Sequence, residues 1–307
     1  MDISNEYWAP GTLKYKYEED PSLLKNEIKI FNEDSLTFEN SNYQNYNEDV
    51  KIDEIIEKGC LILGPAGVGK SYKIKQICDK LDELEKKYIK LAPTNKAARI
   101  IGGETLGKYC AKILKSNKSI NKFKNLDYVF VDEVSMVKEL FYQVLILVKH
   151  SNPKIKFIIS GDFYQLDVVK DRITNRSYEN SRVLFELVDG MKLNLTECKR
   201  ASAELFNICE AVKHGKEIDI SQFDKKKSFI NICYTNEMRK KINNERMADH
   251  LKNKGQTLKI EKLKYDKNSQ DFTLMKGMPL IARRNRKDLN IFNNERFICE
   301  MIKRIKL

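Results

Sequence analysis

The stretch Cys60-Leu-Ile-Leu-Gly64-Pro-Ala-Gly-Val-Gly69-Lys70-Ser71 runs four apolar residues into a glycine-punctuated loop that ends in Lys-Ser. Behind it, Ile74, Ile77, Cys78, Leu81 and Leu84 recur at helical spacing across Lys70–Lys87, so strand, loop and amphipathic helix follow in order. Glycines at these positions let the backbone curl until its N–H groups converge, and the following helix adds the positive end of its dipole. In that context the pattern is a phosphate-binding loop rather than an ordinary glycine turn. Gly64, Pro65, Ala66, Gly67, Val68, Gly69, Lys70 and Ser71 are therefore the candidate nucleotide-binding residues. Lys70 is placed to reach the β- and γ-phosphates of ATP, and the Ser71 hydroxyl to hold Mg2+.

Outward from the loop, strands and helices alternate. Tyr88–Leu91, Tyr128–Val131 and Ile155–Ser160 read as buried strands, with helices at Asn95–Ile101 and Val137–Val148. The alternation predicts an α/β fold, a parallel sheet covered on both faces. A second set is predicted from near Lys192: a strand at Leu193–Thr196, a helix at Ala203–His214, a strand at Phe229–Tyr234 and a helix at Glu237–Lys252. Beyond about residue 256 the pattern turns β-rich, with Met278–Ala282 and Phe297–Met301 flanking a polar turn at Asn293–Asn294. Residues 1–50, with the polar tract Asn40–Asp49 and the lone Trp8, predict an acidic, partly disordered arm. The predicted domains are 1–50, 51–190 and 191–307.

Charge follows the same division. Residues 1–50 carry 11 acidic and 4 basic side chains, whereas the whole chain is +12 at pH 7, so the remainder carries +19. A balance of that size suits a polyanionic partner. The tail from Lys252 has 15 basic and 6 acidic residues. Its densest cluster, Arg283, Arg284, Arg286 and Lys287 with Phe292 and Phe297 nearby, reads equally as the lining of a single-strand channel or as a solvated loop. No run approaches the length of a membrane span, and the N-terminus has no signal-peptide pattern, so a soluble intracellular protein is expected. The seven cysteines form no CxxC pair and predict reduced thiols rather than a metal site.

A pair of acids closes another strand: Val129-Phe-Val-Asp132-Glu133, 62 residues after Lys70. Asp132 is placed to hold Mg2+ and Glu133 to polarise an attacking water, both of which phosphoryl transfer requires.

Five further segments resemble superfamily 1 helicases of the RecD/Dda-like group. Leu91-Ala-Pro-Thr-Asn-Lys-Ala-Ala98 is similar to that group's motif Ia, and Asp132-Glu133-Val-Ser-Met136 to motif II. Gly161-Asp-Phe-Tyr-Gln165-Leu166 is similar to motif III, Leu195-Thr-Glu-Cys-Lys-Arg200 to motif IV, and Tyr234-Thr-Asn236 with Arg239 and Asn243 to the strand-to-helix passage of the second motor domain. The resemblance spans about residues 55 to 300. It implies two RecA-like domains, ATP hydrolysis and 5′-to-3′ movement on single-stranded DNA, with RNA as the alternative strand. It implies Gln165 as a γ-phosphate sensor and Arg200, rather than Lys199, as an arginine finger. Asp162 reads as orienting the Gln165 loop. Thr94, Asn95 and Lys96 are implied contacts to the tracked strand, with Thr94 equally suited to cap the helix, and Thr105 and Lys108 lie on the same path.

The resemblance also has gaps. The group's last two motifs, a Thr/His-rich segment ending in Gln-Gly and a Leu-Ser-Arg-type segment, have no counterpart before Leu307. The second motor domain is therefore expected to be incomplete: either the chain is a fragment or a second polypeptide supplies the remainder, and a binding remnant without motor activity is the alternative function. The stretch from Thr105 to Asp127 leaves little room for a strand-splitting hairpin. Abundant Lys, Asn and Ile suggest an AT-rich, viral or similar genome.

Overall fold

The computed structural model describes residues 42–114, 125–165, 178–219, 221, 230–252, 255–266, 269–283, 286–292 and 295–302. Trp8 and most of the acidic arm lie outside them, as do Leu166, Phe229, Arg284, the Asn293–Asn294 turn and the last five residues. Chain contacts divide the molecule into two units, Met1–Ile218 and Asp219–Leu307.

The first unit is built on a seven-stranded parallel sheet: β1 (Gln44–Tyr46), β2 (Cys60–Leu63), β3 (Tyr88–Ala92), β4 (Glu104–Thr105), β5 (Tyr128–Val131), β6 (Lys156–Gly161) and β7 (Met191–Asn194). Their spatial order is β1-β7-β2-β6-β5-β3-β4, and each neighbouring pair runs parallel. Strands β2 and β5 are buried at every residue. Burial on both faces is why they read as unbroken apolar runs rather than alternating ones. On one face Leu61, Leu63, Val129, Val131, Phe157 and Ile159 share a core with helices α4 (Leu106–Leu114), α5 (Glu139–Ser151) and α6 (Arg182–Leu187). The alternate residues Cys60, Ile62, Phe130 and Ile158 pack on the opposite face against α1 (Ile52–Lys58) and α2 (Lys70–Glu83). The two-residue period of a strand sends successive side chains to opposite faces, and both faces here are apolar. Two further helices belong to this unit, α3 (Asn95–Ile100) and α7 (Ala203–Lys213).

Two expectations about the first sheet need correction. The end of the predicted arm is part of the fold: Gln44–Tyr46 pairs with Met191–Leu193 as the edge strand. Its polar composition hid it, since an edge strand needs only one partner and one buried face. The strand expected to open the second domain also lies in the first sheet, because β7 pairs with β2 as well as β1. The contact boundary accordingly falls between Ile218 and Asp219, not near residue 190.

The second unit holds α8 (Asn236–Leu251) and two antiparallel pairs, β8 (Thr257–Ile260) with β9 (Phe272–Met275) and β10 (Pro279–Ile281) with β11 (Arg296–Ile298). The last pair matches the strands read from the sequence on either side of the polar turn. The strand expected at Phe229–Tyr234 is not formed in its described part: residues 230–234 lack sheet pairing, and Ile232 and Tyr234 are fully exposed. No helix among the described residues is long and apolar enough to cross a membrane. All seven cysteines are unpaired, four of them buried and Cys209 exposed.

Candidate active site

Parallel strands deliver their following loops to one edge of the sheet, and three of those loops meet. The phosphate loop leaves the end of β2, Asp132 and Glu133 leave β5, and Gly161-Asp162 leaves β6, which lies between the other two. One intervening strand puts the glycine loop and the acid pair about 10 Å apart at backbone level. Together with the segment after β7 they line a cleft of about 430 Å³ whose walls include Gly69, Lys70, Ser71, Asp132, Glu133, Gln165 and Arg200.

Lys70 opens α2, its Nζ donating to the carbonyls of Gly64 at 2.6 Å and Pro65 at 2.9 Å. Burial draws its pKa below the ordinary lysine range, while Asp162, Glu133 and Asp132 act to hold it up. Asp132 accepts a hydrogen bond from Ser160 Oγ on β6 at 2.5 Å, which fixes one carboxylate oxygen. Burial, and then the charge of Asp132, pushes the Glu133 carboxyl above the usual carboxylate range. Glu133 also holds a left-handed backbone, φ 55° and ψ 49°, a conformation costly for a residue with a Cβ. Gly161 lets this turn close: a Cβ there would lie 2.8 Å from the Val134 nitrogen.

Asp162 orients the next loop as expected. Its Oδ1 accepts from the Tyr164 N–H and its carbonyl from the Gln165 N–H. The Tyr164 ring carries Lys213 Nζ of α7 at 4.1 Å from its centroid. Arg200 reaches the cleft from the segment after β7, within the same unit as Lys70 rather than from a second domain. That segment is docked on the phosphate loop through Leu195 N–H to Leu63 O and Lys199 N–H to Gly67 O, both 2.8 Å.

A family model described as an AAA domain matches residues 48–170. The ATP-dependent DNA helicase Pif1 of Campylobacter jejuni is 24% identical, over 82% of this chain and 68% of that protein. Two solved structures share the fold at 19% identity: Bacteroides Pif1 bound to ssDNA, and Bacteroides Pif1 in complex with ADP-AlF3 and ssDNA. Both alignments cover 82% of this chain, with 68% and 70% of those chains and TM-scores of 0.58 and 0.54. The chain is thus similar in sequence to a DNA helicase and shares the fold of two solved Pif1 structures.

Of the residues read as nucleotide-binding, Ala66, Gly67, Gly69, Lys70 and Ser71 line the cleft. Gly64 and Pro65 offer carbonyls to Lys70, and Val68 turns into the core, 5% exposed. The sequence reading missed Ser160, whose hydroxyl at the end of an apolar strand was the available signal, and Tyr72, an exposed aromatic on the cleft wall.

The strand-contact candidates also converge. Ala92 of β3 pairs with Thr105 of β4, so Thr94-Asn95-Lys96 and Thr105 leave adjacent strands at the same sheet edge. Thr94 Oγ1 caps α3 by accepting from Ala97 N–H at 3.2 Å, and Thr105 Oγ1 accepts from Lys108 N–H. Asn95 and Lys96 are exposed, whereas the Lys108 ammonium is paired with Glu104. In the basic tail, Arg286 is engaged by Asp288 through two hydrogen bonds of 2.9 and 2.6 Å, which offsets part of the cluster's charge.

Proposed function

We propose that this chain is an ATP-dependent DNA helicase or translocase that hydrolyses ATP to move 5′-to-3′ on single-stranded DNA and unwind duplex. The observation that carries this reading is the convergence of Lys70, Ser71, Asp132, Glu133, Gln165 and Arg200 on one cleft. The similarity to Pif1, whose solved complexes hold ADP-AlF3 and ssDNA, supports the choice of strand and nucleotide.

The chemistry follows from the residues. The ammonium of Lys70 exchanges the Gly64 and Pro65 carbonyls for phosphate oxygens, a stronger, charge-assisted partner. Ser71 and Asp132 form a hydroxyl–carboxylate pair of hard oxygen donors, which fits Mg2+ retaining most of its waters. Bound there, the cation would offset phosphate charge. Ionised Glu133 orients the attacking water. Gln165 reads the γ-phosphate through its amide, and Arg200 spreads charge from the transferring phosphoryl group. On the DNA side, Asn95, Lys96 and the hydroxyls of Thr94 and Thr105 grip backbone phosphates, so binding is insensitive to sequence and weakens with salt.

Strand displacement from forked duplexes tests the reading. The full chain with ATP should release the strand ahead of a 5′ single-stranded tail, and Lys70→Ala should not. Preference for a 3′ tail would overturn the polarity. Equal activity on an RNA tail would overturn the restriction to DNA. ATP and strand binding without displacement or DNA-stimulated turnover would leave a binding remnant in place of a motor.

A further inference from the structure

The segment that delivers Arg200 is held from two sides. On its inner side the Leu195 and Lys199 amides bond to the carbonyls of Leu63 and Gly67. Gly67, at φ +90°, lets Arg200 lie against the loop, since a Cβ there would meet Arg200 Cβ at 3.0 Å. On its outer side sits Glu48, just beyond edge strand β1. One oxygen, Oε1, accepts both the Thr196 N–H and the Thr196 hydroxyl, each at 2.6 Å. The same edge adds β1–β7 pairing. Glu48 itself is exposed and carries no packing duty in either core. A surface carboxylate that makes two short bonds to one residue restrains that residue's backbone and side chain together. Four positions later in the chain stands Arg200.

We infer that Glu48 is a positioning residue for hydrolysis, holding Thr196 so that the Leu195–Arg200 segment presents Arg200 to the γ-phosphate. The inference rests on the role proposed for Arg200. The two hydrogen bonds hold Glu48 below the usual carboxylate range, with Thr196 as the main cause and Lys199 adding to it, so the clasp is ionised at neutral pH. Small displacements of a group that acts only in the transition state cost rate rather than substrate binding.

The test uses the full chain and steady-state ATP hydrolysis with saturating oligo-dT. Glu48→Ala should lower kcat about ten- to a hundredfold, with KM for ATP changed less than about threefold. Glu48→Gln, which keeps an oxygen acceptor, should recover most of the loss. Thr196→Val, which removes only the hydroxyl, should fall between wild type and Glu48→Ala, and it serves if Glu48→Ala proves unstable. In an Arg200→Ala background, Glu48→Ala should cost no further rate, because the two act as one unit. Unchanged kcat in Glu48→Ala, or a loss that simply multiplies with that of Arg200→Ala, would overturn the inference while leaving the Arg200 role intact. Unchanged kcat in Arg200→Ala alone would instead remove the reading on which it rests.

Discussion

The two units are made from one chain but held together differently. In Met1–Ile218, strands β2, β5 and β6 bury almost every side chain between two layers of helices. In Asp219–Leu307 only Met275, Met278 and Cys299 are buried apolar residues among those described, and α8 buries none of its sixteen residues. Two-stranded antiparallel pairs have marginal stability in isolation. The cleft and all its lining residues lie in the first unit, on segments that leave the close-packed sheet. What separates the units is thus rigidity under the chemistry against a loosely packed surface whose polar groups stay in water.

The largest effect expected from the rigid unit is catalytic. Arg200→Ala should lower DNA-stimulated kcat by about a thousandfold, the range of a removed arginine finger, with thermal unfolding unchanged. Core truncation sharpens the contrast in stability. Phe157→Ala, at a fully buried site of β6, should cost about 3–5 kcal/mol. Leu258→Ala, 39% exposed in β8, should cost below about 1 kcal/mol in the same urea titration. Hydrogen exchange offers an independent view: amides of β2, β5 and β6 should open only with global unfolding, and those of α8 far sooner. Equal protection would erase the distinction between the units.

A smaller effect concerns pH. In the proposed reaction Glu133 acts ionised, and burial followed by Asp132 raises its pKa, so kcat should fall on acidification through a limb above the ordinary glutamate range. The sign for stability is opposite. A folded-state pKa above the unfolded one gives stability that is present below the unfolded pKa and is lost as pH rises through the folded one. Glu133→Gln should therefore abolish turnover while raising the melting temperature at neutral pH. A lowered melting temperature would contradict the burial cost. A further, modest effect is at Asp189, which caps the buried Lys149 ammonium at 2.8 Å from a partly exposed position. Asp189→Asn tolerates the same left-handed backbone and should cost about 1 kcal/mol.

How much could be read beforehand follows the same division. Cys60–Leu63, Tyr128–Val131 and the strand read as Ile155–Ser160 were legible because a strand buried on both faces carries an unbroken apolar run, Phe157–Ile159 in the last case. The phosphate loop and the acid pair were legible because their chemistry demands fixed residue types beside such strands. Strand β1 was not, since Gln44-Asn-Tyr46 looks like any polar segment until β7 is known to lie beside it. The place of β7 was misread for a related reason: periodicity identifies a strand but not its partner more than a hundred residues away. Arg200 was found by resemblance yet assigned to the wrong unit through that error. Glu48 carried no local signal, because its role consists entirely of a contact with Thr196.

The proposed function requires that the cleft of the first unit hydrolyse ATP under the control of a bound strand. Steady-state ATP hydrolysis by the full chain, with and without oligo-dT and beside Lys70→Ala, tests it most directly. Strong stimulation by oligo-dT that Lys70→Ala abolishes is the expected result. Turnover that ignores oligo-dT, or that survives Lys70→Ala, would contradict it.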